Sequence, residues 1–278
     1  MGKYIHTVSD AEAASIQRFL YVVAAGTIAF VVLIVLAVLT ADRWLLLISP
    51  ESERQFMQPY MSWAEDHVIP GTNPLLREYV ESLGRQLAAE MDVDDSIQLR
   101  FIVIRDDRVN AFTTLGGYVF VFEGLLHQLD NENSLAMVLA HEIAHAKNRD
   151  PLLTAGRGVL LQLIMMSISG NGGFGPTVAD AGSQATLSLY SREQEELADK
   201  LALAALQRMY GHVGGSTELF EKLNASGEVP EMPEILASHP DITRRIEYIR
   251  ATARDQGWNP GPVRPYPESI RAIVRAEP

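Results

Sequence analysis

Apolar residues run from Phe19 to Thr40, 22 positions without a charge. As a helix that run is about 33 Å long, enough to cross the roughly 30 Å hydrocarbon core of a bilayer. Arg18 flanks one end, and Asp42, Arg43 and the interfacial residue Trp44 flank the other. A cleaved signal sequence is the alternative, but its apolar region is typically ~7–15 residues after a basic start, and Leu39-Thr40-Ala41 is a poor small-x-small cleavage site. An uncleaved anchor over 19–40, in contact with the lipid bilayer, is therefore expected. Beyond it the period changes. Residues 50–70 are predicted as a helical lead-in. After Asn73-Pro74, the positions Leu75, Leu76, Tyr79, Val80, Leu83 and Leu87 recur at helical spacing up to about Met91. Leu99 to Ile104 and Tyr118 to Phe122 are β-rich, the second introduced by Gly116-Gly117. Asp130-Asn131 caps a helix over Glu132 to Asn148, which Pro151 ends. Leu152 to Ser169 is strongly apolar and helical, Gly170 to Pro176 is a loop by composition, and a long helix is predicted from Asp180 to Tyr210. Shorter helices fit 215–224 and 241–254. The tail from Gly257 to Pro278 carries five prolines and is expected to be a loose extension. A few strands followed mostly by helices read as α+β. The expected division is an anchor segment over 1–48, one domain over 49–255 and a Pro-rich tail over 256–278.

The formal net charge is −12. No basic surface is available to replace nucleic-acid counterions, so no nucleic-acid partner is expected. Strong adhesion to anionic head groups is disfavoured for the same reason. The absence of cysteine removes disulfides and thiolate metal sites, so any metal must be held by His, Asp and Glu. Lys3, Arg18 and the amino terminus before the apolar run slightly outweigh Arg43 and Arg54 after it, which favours an inside N-terminus and an outside main domain.

His141-Glu142-Ile143-Ala144-His145 is an HExxH sequence inside the helix predicted over 132–148. A spacing of four puts both imidazoles on one face, a turn apart, where one metal can take a nitrogen from each. Glu142 lies beside that face, within reach of a water on the metal. Two unrelated surface histidines are the plainer reading of so short a motif. A hydrolytic zinc normally has three protein ligands and an open position. Residues 146–151 read Ala-Lys-Asn-Arg-Asp-Pro, so a third His does not follow directly. Glu195 and Asp199 lie four apart on the long helix and share a face. Glu195 can complete a metal site, and Asp199 can accept the other ring N–H of His141. Taken alone, 193–199 is equally a solvated acidic face. His6, His67, His127 and His212 read as structural or surface residues.

Four stretches together resemble the zinc metallopeptidases that include HtpX, BepA and the CAAX prenyl proteases. Asn110-Ala111-Phe112-Thr113-Thr114-Leu115-Gly116-Gly117 resembles that family's NAF…GG strand motif. His141 to His145 with Asn148-Arg149-Asp150 resembles its HExxHxxNRD form, and Ser191-Arg192…Glu195…Ala198-Asp199 its SRxxExxAD motif. Ser238-His239-Pro240…Arg245-Ile246 resembles its HPxxxxRI motif. The likeness covers about residues 75–250. HtpX and the prenyl proteases carry several membrane spans, whereas one clear span is present here. The smaller single-anchor or periplasmic members are thus the better match.

The resemblance implies a mostly helical zincin-like peptidase domain with a small sheet, behind one transmembrane helix. It implies a gluzincin-type metalloendopeptidase with one Zn2+ per chain on His141, His145 and Glu195. Glu142 would be the general base, Asp199 would orient His141, and His239 and Arg245 would stabilise the oxyanion. Protein substrates, including misfolded membrane or envelope proteins, are implied, with a bacterial inner membrane and a periplasmic catalytic domain. His239 could alternatively fill the open metal position in a resting state, and a non-catalytic or latent scaffold is the second reading of the whole. Tyr118 to Phe122 reads either as a strand at a sheet edge beside the metal, where an extended peptide could pair with it, or as an ordinary buried strand after a turn. Asn110, Gly116, Gly117 and Tyr118 are the substrate-binding candidates, the glycines allowing close approach. Gly158 to Ser169, only 12 uncharged residues, is short for a span. It reads as a core helix, a segment against the bilayer, or a cover over the site hinged at 170–176.

Overall fold

The structure is a computed structural model describing residues 10–67, 72–169, 190–225, 235, 239 and 241–276, with 161–169 as backbone alone. Helix α1 (Asp10–Leu45) contains the long apolar run. Among the described residues it is the helix long and apolar enough to cross a membrane. Its apolar side chains, Phe19, Val22, Leu33 and Leu39 among them, face outward rather than into the protein. That is the exposure expected of a helix whose solvent is lipid. Helix α2 (Pro50–His67) follows after a short turn.

Helix α3 (Pro74–Glu90) begins as the sequence predicts: the Asn73 side chain accepts from the Leu75 N–H and Pro74 occupies the first turn. It buries Leu76, Val80, Leu83 and Leu87. Strands β1 (Arg100–Ile104), β2 (Ala111–Thr113) and β3 (Tyr118–Phe122) form a sheet in the order β1-β3-β2. β3 runs parallel to β1 and antiparallel to β2. The expectation that β3 lies at a sheet edge is therefore wrong. Its backbone is bonded on both sides and cannot accept a further strand. The edge nearer the motif helix is β2, too short to show a period of its own.

The glycines before β3 also approach something other than a free cleft. Gly116 (φ 78°) and Gly117 (φ 80°) adopt left-handed conformations that tighten a turn. A Cβ at Gly116 would meet the Arg54 backbone in α2, and one at Gly117 would meet the Gln98 carbonyl. Tyr118 is buried with Met61, Ile104, Phe120 and Phe122.

After α4 (Glu123–Gln128), α5 (Glu132–Asn148) carries HExxH through the middle of the domain. It packs against α3, β2, β3, α6 (Asp150–Ser169) and α7 (Arg192–Tyr210). Leu135, Ala136, Leu139, Ala140, Ile143 and Ala144 are all buried, which is why the helix is apolar nearly all round. α5 ends at Arg149 in a left-handed conformation (φ 57°), and Pro151 sits in the first turn of α6. α7 does not run from Asp180 through to Tyr210 as expected. Ser191 is its N-cap, closed by a capping box with Gln194, so Tyr190 precedes the helix; 180–189 lie outside the described residues.

Helices α8 (Glu218–Ala225), α9 (Ile242–Asp255) and α10 (Glu268–Arg275) complete the fold. The C-terminal tail is not a loose extension. Tyr266 and Ile270 belong to the main core. Glu132 ties the tail down, accepting from the Tyr79 hydroxyl (2.9 Å), the Tyr210 hydroxyl (3.1 Å) and the Arg264 guanidinium (3.0 Å). A backbone bridge between Asn131 and Pro265 adds to it.

Candidate metal centre

α5 presents His141 and His145 on one face, and α7, packed along it, presents Glu195 toward the same point. His239 arrives from the segment before α9. One donor atom from each of these four buried residues lies within 4.8 Å of every other. His141 Nε2 is 3.0 Å from His145 Nε2 and 3.4 Å from Glu195 Oε2; His145 Nε2 is 3.5 Å from Glu195 Oε1. His239 Nδ1 is 2.7 Å from Glu195 Oε1 and 3.4 Å from His141 Nε2. Donors on a tetrahedral zinc at 2.0–2.1 Å are spaced about 3.4 Å apart, so these residues fit the ion. One of their atoms, His239 Nε2, is buried without a hydrogen-bond partner, a condition that an added cation would relieve.

Each imidazole is held from behind. His141 Nδ1 lies 3.0 Å from Asp199 Oδ1, as the spacing on α7 suggested. His145 Nδ1 lies 2.8 Å from Asp150 Oδ2, a partner the sequence reading did not single out, although Asp150 stands in the Asn148-Arg149-Asp150 stretch. Gln194 Nε2 donates to the other Asp150 oxygen at 2.8 Å, joining the start of α6 to that of α7. Both contacts leave Nε2 turned toward the common point. Tyr190 stacks on the His145 ring at 3.9 Å.

Arg245 is placed differently from the oxyanion role expected of it. It donates twice to Asp199, Nε to Oδ2 at 2.9 Å and Nη2 to Oδ1 at 2.6 Å. Nη1 faces Glu195 Oε2 at 3.1 Å, and the guanidinium lies over the Phe220 ring. Nη2 also lies 3.1 Å from His141 Nδ1, so the guanidinium is taken up by the two carboxylates and the ring beside them, and its place is to clamp them. Glu142 points to the same centre. Thr113 Oγ1, on β2, lies 2.9 Å from the Glu142 main-chain oxygen and 3.0 Å from its Oε2, and His239 Nε2 is 3.5 Å from Oε1. Thr113 was quoted only as part of a motif; its hydroxyl fixes the carboxylate.

The electrostatics follow from burial and pairing. Burial resists charge on His145, but Asp150 and Glu195 outweigh it and raise its pKa to about 9. Burial also resists ionisation of Glu195, yet His239, His141 and His145 hold it well below the carboxylate range. Asp199 is held low in the same way, chiefly by Arg245. Burial keeps His239 below its ordinary range, which favours the neutral ring.

Of the substrate candidates, Asn110 precedes β2 and its carbonyl accepts from Phe122 N–H at 3.1 Å. Thr114 N–H donates to the Tyr118 carbonyl at 2.9 Å. Residues 110, 112 and 114 thus face β3, and Ala111 and Thr113 turn their backbone groups outward. The Tyr190 hydroxyl reaches the Thr113 carbonyl on that outer side at 3.4 Å. Gly116, Gly117 and Tyr118 lie on the other flank, against α2. The hinge of the cover reading, 170–176, lies outside the described residues.

A mostly helical domain with HExxH on a central helix and a carboxylate donor from the helix beside it defines the zincin-like metallopeptidase class. The chain belongs to peptidase family M48, whose model matches residues 74–253. It is similar to the beta-barrel assembly-enhancing protease of Yersinia pestis, 30% identical over 202 residues, 68% of this chain and 41% of that one. It is also similar to the mitochondrial metalloendopeptidase OMA1 of Schizosaccharomyces pombe, 30% identical over 194 residues, 68% of this chain and 56% of that one. The human mitochondrial metalloendopeptidase OMA1 is 27% identical over 241 residues, 76% and 44% of the two chains. The chain therefore spans about two fifths to just over half the length of these relatives.

Proposed function

We propose that the chain is a membrane-anchored, zinc-dependent metalloendopeptidase that cleaves protein substrates in membrane or envelope protein quality control. The observation that carries this reading is the convergence of His141, His145 and Glu195 on one point with the Glu142 carboxylate beside it. His141, His145 and Glu195 would hold the zinc, which when bound would supply a Lewis acid for a carbonyl oxygen and lower the pKa of water toward neutrality. Glu142 takes the water's proton as the water oxygen bonds to the peptide carbonyl carbon. It then delivers the proton to the amide nitrogen as the C–N bond breaks. Thr113 holds Glu142 in place for both transfers, and Arg245 keeps Asp199 and Glu195 ionised and oriented. The substrate lies extended along the outer edge of β2, displacing the Tyr190 hydroxyl from the Thr113 carbonyl to pair with Ala111 and Thr113, which gives affinity with little sequence preference. The anchor over α1 and the names of the relatives support envelope or membrane proteins as substrates. The charge asymmetry around α1 supports an inside N-terminus with the domain outside, and the bacterial relatives support an inner membrane with the domain on the periplasmic side.

The test is zinc content and casein cleavage by detergent-purified protein, wild type beside Glu142→Gln. Wild type holds about one zinc per chain and cleaves; the variant keeps the zinc and loses cleavage by ~100-fold or more. Wild type without zinc would overturn the ligand set.

The position of His239 favours a second reading, a latent resting enzyme. As a fourth donor it leaves no open coordination position for water. On this reading His239→Ala raises casein cleavage; if His239 instead stabilises the oxyanion, the same change lowers it.

A further inference from the structure

Three contacts fix how α6 lies beside the membrane helix. Just before α6, Arg149 donates to the Ile48 carbonyl at 2.6 Å and to the Leu46 carbonyl at 3.3 Å. Within α6, a Cβ at Gly156 would collide with the Leu45 side chain, so the two helices touch there. One residue later Arg157 forms a two-pronged ion pair with Asp42, at 2.9 and 2.6 Å. As α6 advances from 149 to 157, its partners retreat from Ile48 to Asp42. The helices are therefore antiparallel, and α6 climbs α1 toward its apolar run.

Asp42, Arg43 and Trp44 mark the end of that run and hence the level of the interface. α6 does not stop there. Its helix continues from Gly158 to Ser169, 12 residues without a charge. At 1.5 Å per residue this is about 18 Å, more than half of a ~30 Å hydrocarbon core. Composition alone left this stretch open, because 12 residues cannot span. As the continuation of a helix held against α1 at Gly156 and Arg157, it need not span. The chain leaves the metal centre at Asp150 and is back at it at Tyr190, which stacks on His145.

We propose that residues 158–169 of α6 enter the bilayer alongside α1, so that the domain is held by two membrane-embedded elements. The inference rests on reading α1 as a membrane anchor. Its consequence concerns the metal centre. Asp150, which holds His145, is seven positions before the interfacial Arg157, about 10 Å along the helix. The centre then opens close to the membrane surface, where it meets polypeptide segments lying on or emerging from the bilayer.

The absence of native cysteine makes the test direct. Single cysteines are placed at each position from 159 to 168 of the full chain, with Val38→Cys in α1 and Asp95→Cys on the exposed domain surface as references. Each is labelled with a nitroxide in phosphatidylcholine–phosphatidylglycerol vesicles. Collision with oxygen and with a water-soluble nickel chelate is then read by power-saturation electron paramagnetic resonance. Lipid-facing positions are expected to match Val38→Cys, oxygen-accessible and nickel-protected, with depth increasing toward 168. Nickel accessibility like that of Asp95→Cys across the scan would overturn the inference. Protection from both probes at every position would overturn it too, since it would mean burial in protein. Nickel accessibility at Val38→Cys would instead overturn the anchor and this inference with it. Ten positions keep the profile independent of any variant that fails to fold.

Discussion

His141 and His145 sit one turn apart on the same helix, yet their outer ring nitrogens are held in different ways. His145 meets Asp150, five residues on, across the break between α5 and α6. His141 meets Asp199 on α7, and Asp199 is itself clamped by Arg245 on α9. The first support is complete once two consecutive helices have formed. The second requires three helices distant in sequence to dock. Two rings of one candidate metal site therefore depend on different levels of folding. The local support is joined to the membrane side, because Arg149, between His145 and Asp150, bonds Glu53 (Nε to Oε1, 2.7 Å) and the carbonyls at the end of α1. The assembled support is joined to the core.

The strongest way to break this comparison is Asp199→Asn. It removes the carboxylate from His141 and leaves the buried Arg245 opposed mainly by Glu195. Breaking a buried ion pair from one side costs about 3–5 kcal/mol, and losing the carboxylate behind a metal-bound His lowers metal affinity about 10–100-fold. Thermal unfolding of the metal-free protein and zinc competition with a chromophoric chelator should both register the change. Asp150→Asn should lower zinc affinity by the same ~10–100-fold. Its effect on metal-free stability should be smaller, about 1–3 kcal/mol, because no buried guanidinium is orphaned. Equal destabilisation by the two substitutions would mean that the local support carries as much of the fold as the assembled one.

The same difference explains what could be read from the sequence. His141, His145, Glu195 and Asp199 were legible because each pair is four apart on one helix, and that spacing fixes a shared face. Asp150 was not, because the left-handed Arg149 breaks the helical period between it and His145. The work of Arg245 depends on where α9 docks, and motif likeness alone assigned it to the oxyanion. β3 reads as a strand from its composition, but whether it is central or marginal depends on β2, which is three residues long. The tail misled because its prolines dominate the composition, while two residues, Tyr266 and Ile270, anchor it in the core.

The finest test asks whether the two supports are independent. Asp150 and Asp199 share no bonded partner, and independent sites add to within about 0.3–0.5 kcal/mol. The metal-free double variant Asp150→Asn/Asp199→Asn should then lose stability equal to the sum of the single losses, within that margin. The imidazoles they hold, however, face each other at 3.0 Å, Nε2 to Nε2. That contact needs one nitrogen to donate and the other to accept, so it links the tautomer of one ring to that of the other. If the link dominates, releasing one ring already frees its neighbour, and the double loss falls short of the sum by more than about 0.5 kcal/mol. Added zinc takes a lone pair from each Nε2 and removes the proton between them. A shortfall present without zinc and absent with it would place the coupling in the shared proton and leave the two supports structurally separate. A shortfall that persists with zinc would mean that the two supports are coupled through the shared ion or through α5 itself, and are not structurally separate.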